Sequence, residues 1–107
     1  MKAFLLSAFV ALSLFATNAE ALKLDQDGCL VYAIWARDVV WARDVGADKD
    51  RVRASLEEMG EREKNPVFAL LLRFFDPLWG TGMPKEMIAQ SVYTECAGRR
   101  GEYGKGA

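Results

Sequence analysis

Cys29 and Cys96 are the two cysteines of this 107-residue chain, and the chain has no histidine. An even pair of thiols without a Cys-x-x-Cys spacing reads as one disulfide formed in an oxidising compartment, with two reduced, reactive thiols as the alternative. The loop closed by such a bridge takes in nearly the whole domain, where chain-entropy arithmetic gives about 4 kcal/mol of stabilisation. The missing histidine removes Ser–His and Cys–His activation of a nucleophile and the commonest general base. It removes zinc as well, because two cysteines alone do not supply four ligands. Neither a cofactor nor a metal is expected.

Other reactive groupings fail on spacing. Ser55 is followed three positions on by Glu58, and Ser91 by Thr94, so no Ser-x-x-Lys pattern exists. Asp25-Gln26-Asp27-Gly28 resembles the opening of a calcium loop, but the glycine comes two positions early. Ala36 also stands where the bidentate Glu is needed, so these aspartates read as helix caps. Gly80-Thr81-Gly82 lacks the Lys and the preceding strand of a phosphate loop and reads as a turn. Glu57 with Glu58, and Glu61 with Glu63, sit in a polar stretch with no apolar pocket to raise a carboxyl pKa. The expectation is therefore a protein that is not an enzyme.

The aromatic residues carry more information. Trp35, Trp41, Phe68, Phe74, Phe75 and Trp79 are many large rings for so small a domain. Rings at helical spacing ordinarily form the core. Four short helices have difficulty burying both faces of the first and third, however, and any excess becomes a surface for a partner or an apolar ligand. Trp35, Trp41, Phe74, Phe75 and Trp79 are the candidate contact residues on that reading.

The elements that would hold these residues follow from punctuation and periodicity. Cys29 to Val45 contains neither Gly nor Pro and stops at Gly46. Tyr32, Trp35, Val39 and Ala42 make one stripe of this first helix; Leu30, Ile34, Trp41 and Val45 make another on a different side. A helix apolar almost all round is normally central or covered by something else. Its tandem hexads, Trp35–Val40 and Trp41–Gly46, turn the two Trp side chains about 120° apart and imply no repeated face. Asp48 caps a charged second helix that runs to about Met59 and stops near Gly60, with Glu61 to Lys64 as connector. Asn65-Pro66 starts a third, whose Val67, Leu70, Leu71, Phe74, Phe75 and Leu78 fit a helical stripe until Asp76-Pro77 ends it. Trp79 to Gly82 reads as a loop; Pro84 opens a fourth helix and Gly98 closes it. Short connections make neighbours antiparallel, which returns Cys96 to the end of the bundle where Cys29 begins. The fold class is all-α: a small irregular four-helix bundle of antiparallel helical hairpins, closed by one disulfide.

Both ends of the chain read differently from this domain, which spans residues 22–98. Met1-Lys2, the apolar run from Ala3 to Ala16 and the small residues of Ala19-Glu20-Ala21 make residues 1–21 a secretory signal, cleaved after Ala21 or after Ala19. The run is shorter than the ~20 residues a membrane crossing needs, so no stable membrane insertion is expected once the signal is removed. Residues 99–107 are Gly-rich and polar and read as a disordered tail. Arg99, Arg100 and Lys105, offset by Glu102, give weak phosphate affinity at best, and a chain of net charge −1 has no field to attract nucleic acid.

With an early Cys opening a helix, then Arg43-Asp44-Val45-Gly46, a charged helix from Asp48 and a final helix ending in Cys96, the sequence resembles small exported two-cysteine helical proteins of Gram-negative bacteria. The resemblance implies a periplasmic, disulfide-bonded helical protein and supplies neither an activity nor site residues. The functional expectation is a periplasmic or secreted protein–protein interaction module, binding an unidentified protein or itself. The alternative is a carrier for a small apolar or lipid-like ligand.

Overall fold

The computed structural model describes residues 21–104. Residues 1–20 of the expected leader and 105–107 of the expected tail lie outside that range. The fold is all-α and closed by a Cys29–Cys96 disulfide, with Cα atoms 5.6 Å apart. Among the described residues five helices build it, and a two-residue strand pair joins the two ends of that range: β1 (Leu22–Lys23), α1 (Gln26–Asp44), α2 (Lys49–Glu63), α3 (Pro66–Arg73), α4 (Phe75–Gly80), α5 (Lys85–Gly98) and β2 (Glu102–Tyr103).

Capping chemistry sets most boundaries. The Asp25 carboxylate accepts from the Gly28 N–H at 2.7 Å, which starts α1 three residues before Cys29. At the other end Gly46 takes φ +84°. The Gly46 N–H then reaches the Arg43 carbonyl and the Ala47 N–H reaches the Ala42 carbonyl, the paired bonds of a Schellman stop. Asp48 caps α2 through the Asp50 N–H, and Asn65 caps α3 through the Val67 N–H with Pro66 at the first helical position.

Three boundaries fall elsewhere than the sequence suggests, the first at the expected loop Trp79–Gly82, whose Trp79 and Gly80 instead end a helix. The expected third helix is two, α3 and α4, because a proline ring clashes with the carbonyl four residues back. For Pro77 that carbonyl belongs to Arg73, the last residue of α3; the break falls at Phe74, and Pro77 sits in the first turn of α4, where an N–H has no intrahelical partner. Helix α2 runs through Gly60 to Glu63, so the expected connector Glu61–Lys64 is helical up to Lys64, which caps it at φ +55°. Gly60 costs about 1 kcal/mol in mid-helix, but a Cβ there would stand 3.3 Å from the Phe68 Cβ. The glycine lets α2 and α3 approach closely.

The main hairpin is α1 against α5, with α3 and α4 completing the core. Leu70, Leu71 and Phe75 are fully enclosed, together with Ala36, Val40 and Cys96. Tyr32 meets Tyr103 edge-on at 6.0 Å, and Trp35 meets Phe68 at 5.3 Å.

The segment 99–104 corrects the expected disordered tail. Helix α5 ends in a second Schellman stop, Arg100 N–H to Ala97 and Gly101 N–H to Cys96, with Arg100 and Gly101 both left-handed. The chain then lies antiparallel to β1, Leu22 opposite Tyr103 and Lys23 opposite Glu102, and Tyr103 enters the core. A buried ring outweighs the glycines beside it. Gly101 is indispensable here: a Cβ on it would fall 1.8 Å from the Leu24 carbonyl oxygen, at φ +72°. Gly101→Ala is expected to cost about 1–3 kcal/mol through strain and loss of the clasp, seen as a lower melting temperature and faster exchange of the Leu24 amide. Gly98→Ala, whose Cβ would meet nothing within 4 Å, serves as the matched control and leaves the clasp intact.

Candidate functional site

The outward face of α1 is the feature that packing does not account for. Tyr32, Ala36, Val39 and Val40 turn into the core. Leu30, Ile34, Trp41 and Val45, spaced four, seven and four apart, lie on the opposite side and stay exposed, with Val31 beside them. Trp41 is 50% exposed and Val45 58%. Six large apolar residues are exposed among the described residues; four of them lie in α1 and a fifth, Val45, is its C-cap. Arg37 and Asp38, paired at 3.6 Å, interrupt the stripe at its middle.

Trp41 also lines an open groove of about 810 Å³. From α1 the groove takes Trp35, Val39 and Ala42, from α2 Val52, Leu56 and Met59, and from α5 Ala89. Its charged lining is balanced: Arg37 and Lys85 against Asp38 and Glu86. The walls have separate anchors. Arg43 donates to the carbonyl oxygens of Trp79, at 3.3 Å, and Thr81, and pairs with Asp44 at 2.7 Å, fixing the end of α1 to the loop that leads into α5. Arg53 of α2 binds Asp76 at 2.7 Å and lies 4.8 Å over the Phe75 ring, fixing α2 to α4. Compared with protein families, curated proteins and solved structures, the chain matches none.

Perturbed protonation lies away from this groove. The Lys49 ammonium, then the Arg53 guanidinium, hold the Asp76 carboxyl below its usual range. Burial pushes the Tyr32 hydroxyl well up, reinforced by Tyr103; burial, then Glu95, does the same to Tyr103. None of the three lines the groove. Glu57, Glu58, Glu61 and Glu63 are exposed on α2, with Glu58 3.7 Å from Arg62. Among the described residues no group of three or more His, Cys, Asp or Glu is placed to hold a metal ion.

The structure separates the five candidate contact residues. Trp35 and Trp41 come together on the groove. Phe75 is fully buried, stacked on Trp79 at 5.6 Å, and is unavailable for contact: it is the core residue beneath Arg53. Phe74 packs on Tyr103 at 6.1 Å, and both Phe74 and Trp79 are half-buried off the groove. In their place the site draws on Leu30, Ile34 and Val45, whose spacing marks a second face, and on Val52, Leu56 and Met59 of α2, which stand at i, i+4 and i+7 in an otherwise charged helix.

Proposed function

We propose that this chain is an exported, non-enzymatic interaction module that receives another protein along the outward face of α1. The observation that carries the reading is the stripe of Leu30, Ile34, Trp41 and Val45, left exposed on a helix whose other face is the core. Large apolar side chains left exposed along one helix face of a small domain mark a contact site, here in two apolar halves on either side of Arg37 and Asp38. Trp41 is the natural anchor, a large ring at the meeting of stripe and groove. Export suits the Cys29–Cys96 bridge, which persists in oxidising compartments. Among the described residues no helix is long and apolar enough to cross a membrane.

The carrier alternative is less well supported. The groove's volume lies within the range of ligand sites, but such sites enclose most of the ligand. Here exposed Trp41, Arg37, Asp38, Ser55 and Glu86 line it, so a bound lipid would stay largely in water.

A photo-crosslinking residue at position 34 of the chain, expressed in its own compartment, tests the reading. The expected result is a protein adduct at 34 that is absent from a control at Glu57, on the far side of α2. Lipid adducts alone would transfer support to the carrier, and labelling no stronger at 34 than at 57 would remove the basis for a contact site.

A further inference from the structure

The partner chemistry can be narrowed from the centre of the stripe. At 100° per residue, Leu30, Ile34, Trp41 and Val45 cluster around one midline, with Arg37 and Asp38 about 50° to either side of it. The stripe is therefore apolar at both ends and carries one positive and one negative flank at its waist. Both flanks are exposed, with side chains about half accessible. We propose that the partner on this face is a second copy of this chain, its α1 lying parallel to the first around a two-fold axis. This rests on the contact reading above and names the occupant of that same site.

The charges decide both the partner and the direction. A two-fold axis along the helices carries each positive flank to the side of the other's negative flank, so Arg37 of one copy faces Asp38 of the second, twice. Leu30, Ile34, Trp41 and Val45 then meet their own equivalents at four levels spread over about 22 Å. An antiparallel pairing instead sets Arg37 against Arg37 and Asp38 against Asp38 at the waist, an arrangement like charges oppose. The four-three-four spacing from Leu30 through Arg37 to Trp41, and from Ile34 through Asp38 to Val45, is the seam spacing of paired helices. A polar pair in the middle of such a seam sets register at a cost in strength, as one polar seam position does in coiled coils. Within one chain the Arg37–Asp38 contact is 3.6 Å long and exposed, so little is lost when each partner is exchanged across the axis.

Charge exchange tests this directly. The disulfide-bonded wild-type protein is expected to sediment as a dimer at micromolar concentration. Arg37→Asp alone places four acidic groups at the waist, and Asp38→Arg alone places four basic ones; each should weaken dimerisation by about tenfold or more. Mixing the two variants restores both opposite-charge contacts, so the equimolar mixture should dimerise while neither variant does alone. Circular dichroism and melting of each variant, taken on the same samples, establish that both are folded. The crosslinker at position 34 in the wild-type background provides an arm independent of those variants, with an adduct expected between residue 34 of one copy and the same region of the second. A wild-type monomer, a dimer indifferent to the exchanges, or an adduct joining residue 34 to the Trp41 region of the second copy overturns the parallel pairing. If the adduct at 34 is with a different protein, the self-pairing fails and the contact reading survives; if no protein is crosslinked there, both fail.

Discussion

Replacing both cysteines by alanine is expected to lower stability by about 4 kcal/mol, the chain-entropy value for a bridge between residues 67 apart. For a domain of this size each kcal/mol moves the melting temperature by about 4–8 °C, so the midpoint should fall by about 15–30 °C. Both half-cystines are buried between α1 and α5, and alanine leaves only a small void, so most of the loss comes from freeing the unfolded chain. The stability of the whole domain is itself only about 5–15 kcal/mol. The double variant should therefore stand near its threshold at growth temperature, with α1 and α5 separating first, because the strand pair and the bridge close the same end of that hairpin. Thermal melting followed at 222 nm, with and without reductant for the wild type, measures the effect. A midpoint within a few degrees of the oxidised protein would mean that α1–α5 packing alone holds the hairpin.

How much of this could be read from the sequence depends on the distance over which each feature is decided. Caps are local. Asp25, Gly46, Asp48 and Asn65-Pro66 each satisfy backbone groups within a few residues of themselves, and each acts where its residue type suggests. The bridge was legible from connectivity, since two antiparallel hairpins leave Cys29 and Cys96 at one end. The break at Phe74 was displaced by three residues because the steric conflict of a proline lies four positions upstream of it. Gly60 misleads for a different reason: it serves Phe68 on another helix, and no window along α2 contains that contact. The same holds at the C-terminus. A two-residue strand is too short for any alternation to show, and Tyr103 finds its place against Leu22, Tyr32 and Phe74, all far away in the chain. The site was half legible on these grounds. Both stripes of α1 can be found at helical spacing, but periodicity has no information about which of two apolar faces the remaining helices will cover.

That ambiguity is sharpest at Phe75 and Trp41, and the two should respond to truncation in opposite ways. Phe75→Ala is expected to cost about 3–5 kcal/mol, the range for emptying an enclosed aromatic site. The ring has no exposure, stacks on Trp79, and supports the Arg53 guanidinium that fixes α2 to α4. Its loss removes apolar contact and loosens one wall of the groove, so any fall in partner crosslinking should track the fraction of folded protein. Trp41→Ala removes a larger side chain but one that is half in water, and should change stability by about 1 kcal/mol or less. Its effect belongs to binding: crosslinking at position 34 should drop while the urea midpoint barely moves. Urea titration of both variants beside the crosslinking yield separates core from contact surface by their ratio. A Phe75 variant as stable as wild type, or a Trp41 variant that unfolds like the expected Phe75 one, would show that the two faces of α1 and the core beneath them have been assigned the wrong way round.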